Sequence, residues 1–336
     1  DVPSESGHEG ALADDVAVAL SDVAHLEVLR DGDAVVARTR LGADERIVVA
    51  GHLDTVPPAD NLPSRLVGDR LYGLGSVDMK SGLAVMLRLA RHVAQPVRDV
   101  TYVFYDGEEV EAARNGLLRL SRTHPKWLAG DFAVLMEPTG SVVEGGCQGT
   151  LRVEVAVTGT RAHSARSWLG ENAIHGAARV LDILDVYQPR RPVVDGLEFR
   201  EGLNAVGIAG GVAGNVIPDR CVVTVNYRFA PDRSVAQAEE HVRALFDGFD
   251  VTVTDSAGGA RPGLTAPPAA DFVAAVGGTP RAKLGWTDVA RFAALDVPAV
   301  NFGPGDPALA HAQDEHVSVA EVLDVEARLR GWLDSR

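Results

Sequence analysis

Three short apolar runs, with helical stretches between them, constrain this chain more than any other feature. They are Arg46 to Ala50 (R-I-V-V-A), Thr101 to Tyr105 (T-Y-V-F-Y) and Phe132 to Met136 (F-A-V-L-M). Runs of this kind mark strands buried on both faces, since neither face meets water. Asp78 to Val93 and Asn115 to Thr123 have helical length and spacing, as does Gly10 to Leu20 with Leu12, Val16, Val18 and Leu20. Strand, helix and strand with tight connections predict an α/β fold with a mainly parallel sheet flanked by helices.

The pattern changes near Gly149. Leu151 to Val157 alternates, as a half-exposed strand should. A helix over Asn172 to Val186 follows, then strands at Asn204 to Val212 and Cys221 to Phe229. Next come a helix at Ser234 to Asp247 and a strand at Val251 to Asp255. This β-α-β-β-α-β order is a ferredoxin-like split motif. The Gly-rich stretch Ser256 to Leu264 is a return linker, and α/β character resumes with Ala299 to Phe302 and Val319 to Leu333. The expected division is a larger domain of residues 1–148 and 264–336, with residues 149–263 inserted in it. A chain of 336 residues exceeds what one core usually holds, about 250–300 residues, which fits two domains.

Composition excludes several partners. The formal net charge of -15 argues against nucleic acid, which is bound through Lys/Arg clusters. No run of about 18 apolar residues predicts a membrane span. Asp1-Val2-Pro3-Ser4 shows no secretory pattern. Two separated cysteines, Cys147 and Cys221, fit a reducing cytosol better than a disulfide scaffold.

Five motifs stand at the ends of the predicted strands or in the loops after them. They are G-H-L-D-T-V-P (51–57), G-L-G-S-V-D-M-K-S-G (73–82), Y-D-G-E-E (105–109), M-E-P-T (136–139) and H-A-Q-D-E-H (311–316). Ligands of open α/β sheets bind in that place. Singly, each motif has a plainer use. His52 can cap a strand, Asp78 can be the N-cap of a helix beginning at Met79, and Glu108 and Glu109 can be solvated loop charges. Together they offer imidazole and carboxylate, the ligands taken by zinc and similar cations. No G-x-S-x-G or G-x-x-x-x-G-K-[ST] occurs, so serine-hydrolase and P-loop readings have no anchor.

In this order, and over essentially the full length, these motifs and the inserted domain resemble the dinuclear zinc peptidases and deacylases. That family includes aminoacylases, glutamate carboxypeptidases and succinyl-diaminopimelate desuccinylases. The actinobacterial desuccinylase branch is resembled most, through C-Q-G-T-L-R, A-H-S-A-R-S-W, G-N-V-I-P-D and N-Y-R-F-A-P-D. The resemblance implies two zinc ions per chain, with cobalt or manganese as substitutes. His52 and Glu137 would hold one ion, Glu109 and His311 the other, and Asp78 would bridge both. Glu108 would be the general base, and Asp54 would orient His52. Adjacent Glu108 and Glu109 side chains point different ways, so one can face metal while the other faces water.

The inserted domain would act as lid and as dimerisation surface. Its His163, otherwise a polar loop residue, would reach the active site across a homodimer and stabilise the oxyanion. Arg228, otherwise a surface residue, would bind a substrate carboxylate, with Asn215, Thr150, Arg166 and Gly285 as further contacts. Cys147, Arg166 and Trp286 depart from better-known desuccinylases, so the acyl pocket differs in detail. The implied reaction is removal of succinate from N-succinyl-L,L-diaminopimelate, a small acylated amino acid of lysine and diaminopimelate biosynthesis, in the cytoplasm. A sibling deacylase or dipeptidase would share the metals and differ only in the pocket. A non-catalytic binding protein on this fold would be expected to have lost part of the ligand and base set.

Overall fold

A computed structural model describes residues 1–335. Its contacts divide it into two units. Residues 1–146, 262–282 and from 287 onward form the first, and residues 147–261 with 283–286 form the second.

The first unit is built on an eight-stranded mixed sheet. Across the sheet the order is Glu27–Asp31, Ala34–Arg38, Asp99–Tyr105, Arg46–His52, Phe132–Leu135, Ala299–Asn301, Glu144–Gly145 and Arg281–Ala282. The four strands from Asp99–Tyr105 to Ala299–Asn301 run parallel. Apart from Arg46 they are buried along their whole length, which is what their apolar runs require. Ile47, Val49 and Val134 share one core with Val16 of helix Gly10–Ser21 and Met86 of helix Lys80–His92. Phe272 of helix Pro267–Val276 and Trp332 of helix Val319–Asp334 complete it. The rings of Phe132, Phe272 and Trp332 meet tilted or edge-on, with centroids 4.8–6.0 Å apart. Burying an aliphatic or Phe side chain contributes about 1.5–3 kcal/mol, so this cluster anchors the strands whose ends carry the motifs.

The hairpin Glu27–Asp31 to Ala34–Arg38 was not anticipated. Its cue was present: Gly32-Asp33 is a two-residue loop with Gly first, and Gly32 takes a φ of +60°. A small sheet of Arg65–Val67, Arg70–Tyr72 and His316–Ser318 ties the last motif to a second hairpin.

The second unit contains a four-stranded antiparallel sheet in the order Gly202–Gly210, Arg220–Phe229, Gly149–Thr158, Asp250–Ala257. With its helices the chain order is β-α-β-β-α-β. Burial alternates along Gly149–Thr158 and Arg220–Phe229. The inward residues, among them Val153, Val155, Val223 and Val225, pack with Val180, Ala238 and Val242 of the helices. The helix expected over 172–186 divides at Ala177 into Ala173–Gly176 and Ala178–Asp185. Ser234 and Gln237 form a capping box on Val235–Leu245. One outer strand, Asp250–Ala257, carries Asp250 and Asp255. The other, Gly202–Gly210, carries no charge and exposes Val206 and Ile208. Both cysteines are buried. Among the described residues no helix is long and apolar enough to cross a membrane.

Candidate metal centre

The sheet brings three motifs together by register. Asp99–Tyr105, Arg46–His52 and Phe132–Leu135 are parallel neighbours, so their C-terminal ends lie at the same end of the sheet. His52 is the last residue of its strand, Glu137 follows Phe132–Leu135, and Glu108 and Glu109 follow Asp99–Tyr105.

Asp78 stands ahead of helix Lys80–His92 but does not cap it. The N-cap is Met79, and it makes no side-chain cap bond. The Asp78 carboxylate faces two imidazoles instead. Its Oδ1 lies 3.0 Å from His52 Nε2 and its Oδ2 3.5 Å from His311 Nε2. His311 Nε2 is also 2.7 Å from Glu109 Oε1. Two groups result, each with ligand atoms within 4.8 Å of one another: His52, Asp78 and Glu137, and Asp78, Glu109 and His311. Asp78 belongs to both. The helix that follows Asp78 packs closely on Met136 through Gly82, where a Cβ would come within 2.5 Å of the Met136 carbonyl oxygen.

Two imidazoles and three carboxylates suit divalent cations such as zinc. The charge balance points the same way, because this many clustered carboxylates need compensation. Hydrogen bonds to Asp78 and Glu109 push His311 up to about 10. Burial opposes protonation of His52, but Asp54 and Asp78 outweigh it and hold His52 above its ordinary value. Burial would raise Asp78, yet both imidazoles pull it low.

Asp54 organises the loop that carries Glu108 and Glu109. Fully buried, it accepts from the N–H groups of Glu108 (2.9 Å) and Glu109 (3.0 Å) and from Ser6 Oγ (2.7 Å). Burial works to raise its carboxyl, but His52 and the two amides hold it at about 2. His52 Nδ1 lies 3.0 Å from the Asp54 carbonyl oxygen, which makes Nδ1 the donor and leaves Nε2 to face Asp78. Gly107 allows the turn: its φ is +68°, and a Cβ there would come within 2.6 Å of the Arg114 carbonyl oxygen. Its N–H donates to Glu9 Oε1 at 3.1 Å.

Glu108 is in neither ligand group. Burial raises its carboxyl, His52 opposes that, and Glu137, Asp288 and Glu109 add to the rise.

The other expected site residues lie in the second unit. His163 is exposed, and its Nδ1 accepts from the Ala165 N–H at 3.1 Å. Arg228 stands opposite Thr150 on the neighbouring strand, whose Oγ1 accepts from Asn226 Nδ2 at 3.1 Å. Burial and the charge of Arg152 lower the Arg228 pKa, and Arg228 makes no ion pair among the described residues. The Asn215 carbonyl accepts from Ser164 N–H at 2.9 Å. Arg166 is exposed. Gly285 precedes Trp286, whose Nε1 donates to the Gly258 carbonyl at 3.0 Å.

Three residues with evident roles around the centre were not singled out from the sequence. Ser6 and Glu9 bond Asp54 and Gly107 as above. Glu315, buried, accepts from the amides of Gly75, Val77 and Asp78. Glu315 was visible inside H-A-Q-D-E-H, but a carboxylate that binds backbone amides leaves no residue pattern at the other end.

Known proteins resemble this chain in sequence and in fold. The model of Peptidase family M20/M25/M40 matches residues 48–333. A Mycobacterium tuberculosis protein provisionally named succinyl-diaminopimelate desuccinylase DapE is 58% identical over 99% of this chain and 95% of its own length. The succinyl-diaminopimelate desuccinylase of Corynebacterium glutamicum is 47% identical over 99% of this chain and 93% of its own. Among solved structures, aminopeptidase PepT from Bacillus cereus shares the fold with a TM-score of 0.78. It is 17% identical over 99% of this chain and 94% of that one.

Proposed function

The chain belongs to peptidase family M20/M25/M40, and on that footing we propose that it removes succinate from N-succinyl-L,L-diaminopimelate with two metal ions. The observation that carries the two-ion reading is the presence of Asp78 in both ligand groups. A carboxylate common to two ligand sets can serve two ions at once. The substrate follows from the names of the relatives at 58% and 47% identity.

His52 and Glu137 would hold one ion and Glu109 and His311 the other, with Asp78 between them. Zinc is the expected metal, with cobalt or manganese as substitutes. Bound there, the ions supply Lewis acidity, polarising the amide carbonyl and acidifying water. Glu108, which belongs to neither group, takes a proton from the attacking water and returns it to the leaving amine. The C–N bond breaks, and succinate and a free amine leave. Asp54 keeps the His52 tautomer and the Glu108–Glu109 loop in place. Arg228, half-buried and without an ion-pair partner among the described residues, suits a substrate carboxylate. Asn215, Thr150, Arg166 and Gly285 are assigned the remaining contacts.

The second unit is assigned as lid and as the surface through which two copies pair. The uncharged, exposed strand Gly202–Gly210 supports this, since such an edge is a ready pairing surface. The partner subunit's His163 would then stabilise the oxyanion. The cytoplasm is the compartment we assign.

The test is release of free amine from N-succinyl-L,L-diaminopimelate by zinc-loaded protein, beside a panel of N-acyl amino acids and dipeptides. The succinyl substrate should be cleaved with the highest kcat/KM. Preference for another amide would move the chain to a sibling activity. A metal-loaded chain that cleaves none of them would be a binding protein.

A further inference from the structure

Glu315 is 2% exposed and lies in the part of H-A-Q-D-E-H to which the proposed reaction gives no role. Its carboxylate accepts three backbone N–H groups from one loop. Oε2 takes Gly75 at 2.9 Å, and Oε1 takes Val77 at 2.8 Å and Asp78 at 3.0 Å. The backbone reinforces the join: the Gly73 N–H donates to the Glu315 carbonyl, and His316 pairs with Tyr72. Leu74, Gly75, Ser76 and Val77 are buried, so water cannot easily replace the carboxylate as their partner. The chain that carries His311 is thereby tied to the loop that carries Asp78.

We propose that Glu315 is a positioning residue that sets Asp78 between the two ligand groups before any ion binds. The proposal rests on the metal-centre reading above. A buried carboxylate with a purely structural role would act on the stability of the whole chain. One that presets Asp78 acts on metal affinity as well, because the shared ligand would otherwise have to be ordered at the moment of binding.

Glu315→Gln keeps the shape and tests this. Its remaining oxygen can accept from Val77 and Asp78, but its NH2 then faces the Gly75 N–H, donor against donor. Groups behind metal ligands are typically worth about 10–100-fold in metal affinity. The full chain is stripped with chelator and titrated with Co2+, read by the absorbance of bound cobalt, and the thermal unfolding of the metal-free protein is recorded. Glu326→Gln is the control. It weakens a buried carboxylate held by Arg88 and Arg330, and should lower the unfolding temperature without moving cobalt affinity.

Glu315→Gln should weaken cobalt binding about 10–100-fold, with activity recovered at excess metal. Affinity equal to wild type overturns the proposal. A wild-type chain that takes up no cobalt overturns the metal-centre reading itself, a distinguishable failure. Should Glu315→Gln not fold, amide exchange in metal-free wild type decides. Slow exchange at Gly75, Val77 and Asp78 without metal supports a preset loop, and protection only after metal is added overturns it.

Discussion

His52 and Glu137 are 1% and 6% exposed and stand at the ends of adjacent parallel strands, whereas His311 is 48% exposed and comes from a loop. Glu109, its companion, also comes from a loop, and His311 holds a φ of +63°, uncommon for a residue with a side chain. Asp78 is the one member common to both groups. The sheet thus builds the buried group, through strand register and a core of large apolar side chains. The open group is assembled from segments far apart in the chain, with Glu109 and His311 separated by 202 residues. Ligands on strands are held more precisely than ligands on loops. The buried group should therefore bind its ion more tightly and release it more slowly.

The largest expected effect tests which acid stands outside both groups. Glu108→Gln should lower turnover by about 10²–10⁴-fold with both ions retained. Loss of an ion, measured by elemental analysis, would make Glu108 a ligand and break the division as drawn. Removal of metal tests the asymmetry itself. Dilution of the metal-loaded enzyme into chelator should release ions in two phases. His311→Ala should abolish the fast phase and leave the slow one, while a single phase for both ions would erase the difference between the groups. The smallest effect asks what completes the open side. Mixing inactive His163→Ala chains with inactive Glu108→Gln chains should restore about a quarter of wild-type activity if subunits of a two-fold dimer exchange at random. Demonstrated exchange without recovery would confine His163 to its own chain or remove it from the reaction.

How much of this was legible in the sequence follows the same line. The strand ends of the buried group were legible, because short apolar runs such as R-I-V-V-A and F-A-V-L-M mark strands with two buried faces, and the ligands follow closely. The alternating strands of the second unit were equally plain, since Leu151, Val153, Val155 and Val157 fall on one face. What stayed hidden depends on contacts between distant residues. Nothing in the spacing of Glu315 points to an amide 237 residues away, and Ser6 gives no sign of reaching Asp54. Asp78 was locally ambiguous: an Asp just before a helix is most often a cap. Only the approach of His52 from one side and His311 from the other shows that its carboxylate turns away from the helix.

The central claim is that one carboxylate serves two ions, and metal content with and without that carboxylate tests it most directly. Wild-type protein equilibrated with zinc and freed of excess should retain about two ions per chain, and Asp78→Ala should retain neither. An Asp78→Ala chain that still holds one ion with wild-type affinity would contradict the shared role.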